Sequence, residues 1–149
     1  MRDVISVLLR EEGYNCVVAS GAEMALDIAS QEETPLVISD MKMPGKDGLW
    51  LLEQLRERYP DTSVIMLTGY GDTESAVDCL RRGAVDYLLK PPKLTDLIRA
   101  IERALAKRRI ELARKRYQKK LERKVRDRTT ELRNALRDIA HTYQSTLLA

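Results

Sequence analysis

The sequence LVISDMKMPGKDG at residues 36–48 decides the fold of this protein. Its first four residues form a short apolar run that is typical of a buried strand, and the run ends at the carboxylate of Asp40. A loop rich in Met, Lys, Pro and Gly follows, and the apolar spacing from Gly48 to about Arg58 then predicts a helix. A buried strand that leads through a loop into a helix is the repeating unit of an α/β protein.

The same unit repeats on both sides of this stretch. Further strands are predicted over residues 14–19, 63–68 and 86–90, and further helices over residues 2–12, 20–30 and 73–82, with Ser20 as a candidate N-cap. Strands that alternate with helices of about ten residues form right-handed βαβ units. The sequence therefore predicts a doubly wound parallel sheet with four visible strands and with helices on both faces.

The composition excludes several classes of protein. The chain has 149 residues, and no apolar run approaches the roughly 18 residues of a membrane span. It shows no signal segment, and its two cysteines, Cys16 and Cys79, are too few for a disulfide scaffold and lack metal-ligand spacing. We therefore expect a cytoplasmic protein without a membrane partner.

The net charge of +3 combines two unlike parts of the chain. Residues 1–92 hold 9 Lys and Arg against 16 Asp and Glu, a balance of −7. Residues 93–149 hold 17 against 7, a balance of +10. An asymmetry of this size predicts an acidic body and a basic tail with different roles.

Three polar side chains stand at the ends of consecutive predicted strands. Asp40, Thr68 and Lys90 follow the apolar runs that begin at residues 36, 63 and 86. Because the carboxyl ends of parallel strands meet at one edge of a sheet, we expect the three side chains to converge there. A carboxylate nucleophile, a hydroxyl donor and a cationic lysine suit transient phosphoryl transfer.

The motifs that carry these residues resemble a known family. DMKMPGKDG at residues 40–48, MLTG at residues 66–69 and KP at residues 90–91 are similar, in this order, to the receiver domain of two-component response regulators. The resemblance covers about residues 2–105 and implies a flavodoxin-like fold. It implies that Asp40 is the phosphoacceptor, Thr68 the switch hydroxyl, Lys90 the phosphate-binding lysine and Tyr87 the switch aromatic.

The resemblance also implies a metal ion and several tuning positions. The backbone carbonyl of Lys42 would be a Mg²⁺ ligand together with Asp40. The side chains of Lys42 and Tyr70 would tune dephosphorylation, and the Lys90–Pro91 peptide would be cis. The expected phosphoryl donor is a histidine kinase.

One part of the family pattern is missing from the sequence. Receivers open with a central strand followed by two adjacent acidic residues that hold Mg²⁺, whereas this chain begins at about the next helix, where Asp3 has no acidic neighbour. We expect either a gene that starts upstream or a protein without this strand, and phosphorylation of the chain is in doubt in both cases. The strand at 14–19 would then pair with the strand at 36–40 or exchange with a neighbouring chain.

The basic tail predicts one long helix. No Pro or Gly follows Lys93, and Leu94, Leu97, Ile98, Ile101 and Leu105 would face the sheet. Positions 121, 125, 128, 132, 135 and 139 repeat with heptad spacing, and we call four of them, Leu121, Val125, Leu132 and Ile139, the seam. The expectation is a receiver over residues 1–105 and a helical stalk over residues 106–149 that forms a parallel homodimer through the seam, rather than folding back onto the acidic body.

The tail allows two further interpretations. DNA binding is disfavoured because Asp127, Glu131 and Asp138 interrupt the basic run and no base-reading cluster of Asn residues follows. Residues 121–132 resemble the linker of regulators with a C-terminal HD-GYP domain, which hydrolyses cyclic di-GMP, and similar linkers precede histidine-kinase modules. The chain itself is predicted to be a signalling module rather than an enzyme, with any such output beyond it. The alternative is a pseudo-receiver that only mediates protein interaction.

Overall fold

Eight regular elements build the protein, and the computed structural model describes residues 1–69, 71 and 73–148. The helices and strands are α1 Arg2–Glu11, α2 Ala22–Gln31, β1 Leu36–Asp40, α3 Gly48–Arg58, β2 Ser63–Thr68, α4 Thr73–Arg81, β3 Asp86–Leu89 and α5 Leu94–Leu148.

The three strands form one parallel sheet in the order β1-β2-β3. The register places Asp40 opposite Leu67 and Thr68 opposite Leu89, so the carboxyl ends of all three strands lie at one edge. The predicted α/β class and parallel sheet are confirmed.

The prediction of a strand at residues 14–19 is wrong. In the described part of the chain β1 pairs only with β2, and residues 14–19 join no ladder. Two of their carbonyls accept side-chain hydrogen bonds instead: Cys16 from Arg10 at 2.9 Å and Ala19 from Arg2 at 3.2 Å. A β-like sequence forms a strand only beside a strand partner, and the expected pairing of this segment with β1 is not formed.

The sheet is covered by helices on both faces, because every residue of its central strand β2 is buried. Val64 and Met66 of β2 pack into a cluster with α2, α3 and α4, whereas Ile65 packs on the opposite face with α1 and the first part of α5. Successive residues of a strand point to opposite faces, so β2, which is buried throughout, serves both clusters. This is the predicted doubly wound arrangement.

The first part of α5 packs against the sheet through small as well as large residues. Leu97 and Ile101 are buried as expected, and Ala100 and Ala104 are fully buried beside them. By contrast, Leu94, Ile98 and Leu105 are only half-buried. The chain divides into two units, a first unit Met1–Arg109 and a second unit Ile110–Ala149.

Several element ends differ from the sequence prediction by a residue or two. The N-cap of α2 is Gly21, because the Ser20 hydroxyl lies against the Met24 sulfur at 3.4 Å and does not cap the helix. In contrast, α3 begins as predicted at Gly48, with Asp47 as its N-cap. Within the described residues, none of the helices has the length and apolar character needed to cross a membrane.

Candidate functional site

The three polar residues predicted at the strand ends lie together at one edge of the sheet. Asp40 ends β1, Thr68 ends β2, and Lys90 directly follows β3. The Lys90 ammonium forms an ion pair with the Asp40 carboxylate. The parallel register thus brings an anion and a cation from strands 50 residues apart into direct contact.

One backbone N–H orients the Asp40 carboxylate, and a second ties the following residue to β2. The Lys42 N–H donates to Asp40 Oδ1 at 3.1 Å, and the Met41 N–H donates to the Leu67 carbonyl at 3.0 Å. The Asp40 side chain remains 37% exposed and the Lys90 side chain 24% exposed. A carboxylate that is oriented and still accessible from solvent can act as a nucleophile.

Thr68 lies beside this ion pair but bonds elsewhere. The residue is 1% exposed, and its hydroxyl donates to the Leu88 carbonyl at 3.5 Å. Its own carbonyl accepts from the Lys90 N–H at 2.8 Å, which ties the lysine backbone to the end of β2. Thr68 is therefore close to the site, with its hydroxyl engaged by β3.

Among the other predicted site features, the structure describes Tyr87 and the Lys90–Pro91 peptide but not Tyr70. Tyr87 is half-buried against the cluster formed with α2, α3 and α4, and its N–H donates to Asp86 Oδ1 at 2.8 Å. The Lys90–Pro91 peptide is cis, as the resemblance implied. Tyr70 lies outside the described residues.

Gly48 supports the site in a way that the sequence reasoning missed. A Cβ at this position would overlap the Asp40 carbonyl oxygen and lie 2.7 Å from Met66 Cε. Glycine therefore lets the first turn of α3 approach the backbone of the nucleophile residue. The Asp47 cap, whose carboxylate accepts from the Trp50 N–H at 2.9 Å, fixes where that turn begins. In the sequence, the Asp47-Gly48 pair directly before the apolar helical pattern is the feature that could have indicated this close approach.

The second missed contact joins two sulfur atoms next to the site. Cys79 Sγ of α4 lies 3.1 Å from Met41 Sδ, and Met41 directly follows Asp40. Burial raises the pKa of the Cys79 thiol, and the negative charge of Asp78 adds to the effect. The thiol is fully buried, so it serves as a packing group rather than a nucleophile.

The described residues do not by themselves make a magnesium site. Mg²⁺ requires near-octahedral oxygen ligands, usually one or two carboxylates with water and substrate oxygens. The described part of the chain contains no group of three His, Cys, Asp or Glu that could hold a metal ion. The carboxylate at the site, Asp40, is paired with the Lys90 ammonium, which competes with a cation.

The comparisons with known proteins agree with this arrangement of strand ends. Residues 1–102 match the response regulator receiver domain family. The chain belongs to this family. As a receiver domain it is a signalling module of two-component systems, and receiver domains typically bind Mg²⁺.

Two response regulators match about 70% of this chain. Over 103 residues, 69% of this chain, the sequence is 41% identical to the response regulator protein FleR of Pseudomonas aeruginosa, of which it spans 22%. It is 37% identical over 106 residues to a putative NtrX-like response regulator of Rickettsia bellii, covering 70% of this chain and 22% of that protein. The chain therefore spans less than a quarter of these relatives.

Solved structures show the same fold. A receiver domain protein from Clostridium thermocellum superposes with a TM-score of 0.70 at 33% identity, covering 73% of this chain and 88% of that one. The receiver domain of NtrX from Brucella abortus gives a TM-score of 0.68 at 37% identity, covering 70% and 88%. The flavodoxin-like receiver fold is thereby confirmed. The family match ends at residue 102, so the linker resemblance of residues 121–132 stays a prediction.

Proposed function

We propose that this receiver domain accepts a phosphoryl group on Asp40 from the phosphohistidine of a histidine kinase. The observation that carries the proposal is the exposed carboxylate at the end of β1, held against the lysine that directly follows β3, two strands away in the sheet. In the transfer, a carboxylate oxygen of Asp40 attacks phosphorus and forms an O–P bond. The N–P bond breaks, and the imidazole nitrogen keeps its electron pair.

The neighbouring groups would prepare Asp40 for this attack. Lys90 offsets the repulsion between an anionic carboxylate and an anionic phosphoryl group, and it can follow the charge onto the phosphoryl oxygens. The Lys42 N–H, already bonded to Asp40 Oδ1, limits the rotation of the carboxylate. The Lys42 and Tyr70 side chains would tune the lifetime of the acyl phosphate.

Thr68 and Tyr87 would report the change of charge. The Thr68 hydroxyl is now used by the Leu88 carbonyl through a long bond of 3.5 Å, which is weak enough to exchange for a phosphoryl oxygen. Tyr87 lies three residues before Lys90 of the cis peptide, and in the register of the sheet it is opposite Met66 of β2. A shift of Thr68 toward Asp40 would open space for the Tyr87 ring to move inward and change the surface of β3, α4 and α5.

Mg²⁺ is included in this proposal only because receiver domains of the family typically bind it. Asp40 and the Lys42 carbonyl would be its ligands in this chain, and the ion would neutralise phosphoryl charge when bound. Because the described residues supply a single carboxylate to this Mg²⁺ site, we expect Asp40 of this chain to take up the phosphoryl label weakly.

The signal would pass through α5 to an output domain, with the protein as a homodimer. The four seam residues lie on one face of the second unit and are between 43% and 66% exposed, which is unusual for four large apolar side chains at heptad spacing. A cyclic di-GMP phosphodiesterase is one candidate output. Another is suggested by the relative NtrC of Klebsiella pneumoniae, named a DNA-binding transcriptional regulator, of which the chain spans 23%.

The alternative function is a pseudo-receiver that mediates protein interaction without phosphorylation. The single carboxylate at the strand ends, already neutralised by Lys90, is the observation that favours it. The two functions share the fold and the dimer and differ only in the chemistry at Asp40.

A labelling experiment separates the two functions. The chain is incubated with a radiolabelled phosphohistidine donor with and without Mg²⁺, and the label is tested for stability in acid and lability in base. A receiver gives an acyl phosphate that Asp40→Asn abolishes. Asp27→Asn, which removes an exposed carboxylate from α2, is the matched control and keeps the label. If the parent chain carries no more label than Asp40→Asn, both with and without Mg²⁺, the result supports the pseudo-receiver.

A further inference from the structure

The second unit carries a row of cations that the helical geometry, not the linear sequence, brings into line. At about 100° per residue, six basic side chains project within about 40° of the direction of Lys119. All six are exposed: Lys115, Lys119, Arg123, Arg126, Arg133 and Arg137. We call these six residues the basic stripe. It runs for about 33 Å along α5, since each helical residue rises about 1.5 Å.

The carboxylates of the second unit lie off this stripe. Glu122 is the nearest at about 60° from the direction of Lys119, and Asp127, Glu131 and Asp138 are about 80–120° away. In the linear sequence these last three residues interrupt the basic run. On the helix they leave the stripe unbroken from Lys115 to Arg137.

The stripe is also separated from the apolar seam. Leu121, Val125, Leu132 and Ile139 project about 120–160° from Lys119, so a partner helix on the seam leaves the stripe exposed to solvent. A helix that lies on a membrane inserts its apolar face into the lipid. Here that orientation would direct the cations away from the headgroups, which disfavours a membrane.

We propose that the basic stripe binds the phosphate backbone of double-stranded DNA without reading its sequence. Duplex DNA presents one negative charge per about 1.7 Å, and a straight row of about 33 Å matches nearly one helical turn. Four of the six cations are arginines, whose planar fork bonds phosphate oxygens in pairs. The stripe contains no cluster of Asn or Gln for adenine edges, so the contact is with the backbone.

The test measures binding of the full 149-residue chain to a fluorescent 20-base-pair duplex by anisotropy at 50 mM salt. The stripe variant replaces Lys115, Lys119 and Arg126 by Gln. The matched variant replaces Lys120, Lys124 and Arg114 by Gln, which removes the same charge from outside the stripe. We expect the stripe variant to bind at least tenfold more weakly and the matched variant within about threefold of the parent.

The salt dependence and a membrane probe complete the test. The slope of log K against log salt should fall by about 2 to 3 in the stripe variant, because three phosphate contacts per chain are lost. Two duplexes of unrelated sequence should bind equally. Three outcomes would each overturn the proposal. The two variants could lose equal affinity for the duplex, the parent could show no detectable binding, or the parent could bind phosphatidylserine vesicles more tightly than the duplex. Circular dichroism confirms that the variants keep the helix.

Discussion

The two units of the chain use apolar residues in opposite ways. In the first unit Leu51, Leu52 and Leu55 of α3 are buried against the sheet, so the unit has its own core. In the second unit Leu132, Leu136 and Ile139 are between 58% and 66% exposed on a helix of equal regularity. Helical periodicity alone does not bury a residue; burial needs a partner surface. In the first unit the sheet supplies that surface for the α3 leucines, whereas these side chains of the second unit remain exposed.

The largest expected effect concerns that missing partner. Val125→Glu together with Leu132→Glu should convert a homodimer into a monomer, because four buried side chains across the pair contribute about 6–12 kcal/mol at roughly 1.5–3 kcal/mol each. Arg128 in the same heptad row weakens the contact but can lie along it with its charge in solvent. Sedimentation velocity at micromolar concentration measures the change.

A control on the other side of the helix makes this result specific. Thr130→Glu with Asn134→Glu adds the same two carboxylates away from the seam and should leave the dimer intact. If the seam variant stays dimeric, the proposed contact is wrong and the interface lies in the first unit.

The next effect tests the core of the first unit. Leu52→Ala should lower its free energy of unfolding by about 2–5 kcal/mol, since the fully buried side chain leaves a cavity. Urea unfolding followed by the fluorescence of Trp50, which packs against the same cluster, measures it. Leu132→Ala removes the same atoms from the second unit and should leave this transition within about 0.5 kcal/mol. Equal losses in both variants would contradict the division into a buried and an exposed apolar set.

A smaller effect is expected at the start of α3. Asp47→Ala should destabilise the first unit by about 0.5–2 kcal/mol, because the Trp50 N–H loses its cap acceptor. Since this turn also positions Gly48 beside Asp40, labelling of Asp40 should fall in parallel. Asp47→Asn, which keeps an acceptor oxygen, should retain most of both properties. An unchanged urea midpoint for Asp47→Ala would show that the cap does not fix the helix start.

The smallest effect lies in the second unit. The Thr129 hydroxyl donates to the Val125 carbonyl at 2.7 Å, one turn earlier, a bond that does not stabilise a helix. Thr129→Ala should therefore stabilise the helix by no more than about 0.7 kcal/mol. The thermal midpoint of the helical circular dichroism signal, which measures this, should rise slightly. A clear loss of helicity would mean that this hydroxyl contributes a tertiary contact.

Much of the candidate site followed from the sequence, because its residues are adjacent to strand ends. Once the strands are assigned as parallel, their carboxyl ends place three residues at one edge of the sheet: Asp40, Thr68 and Lys90. Their roles remain proposals. The approach of Gly48 to the Asp40 carbonyl and the contact of Cys79 with Met41 could not be predicted, since they join elements whose separation depends on packing.

The sequence by itself determined the α/β class, the three strand-end residues, the start of α3 and the length of α5. These features depend on local periodicity, on capping and on the absence of Pro and Gly after Lys93, which act over a few residues. Tertiary structure alone decided that residues 14–19 form no strand, that Lys90 pairs with Asp40, and that Ala100 and Ala104 are buried while Val125 and Leu132 are exposed. Each of these outcomes depends on a neighbour distant in sequence, because a strand, an ion pair and a buried face all require a second surface.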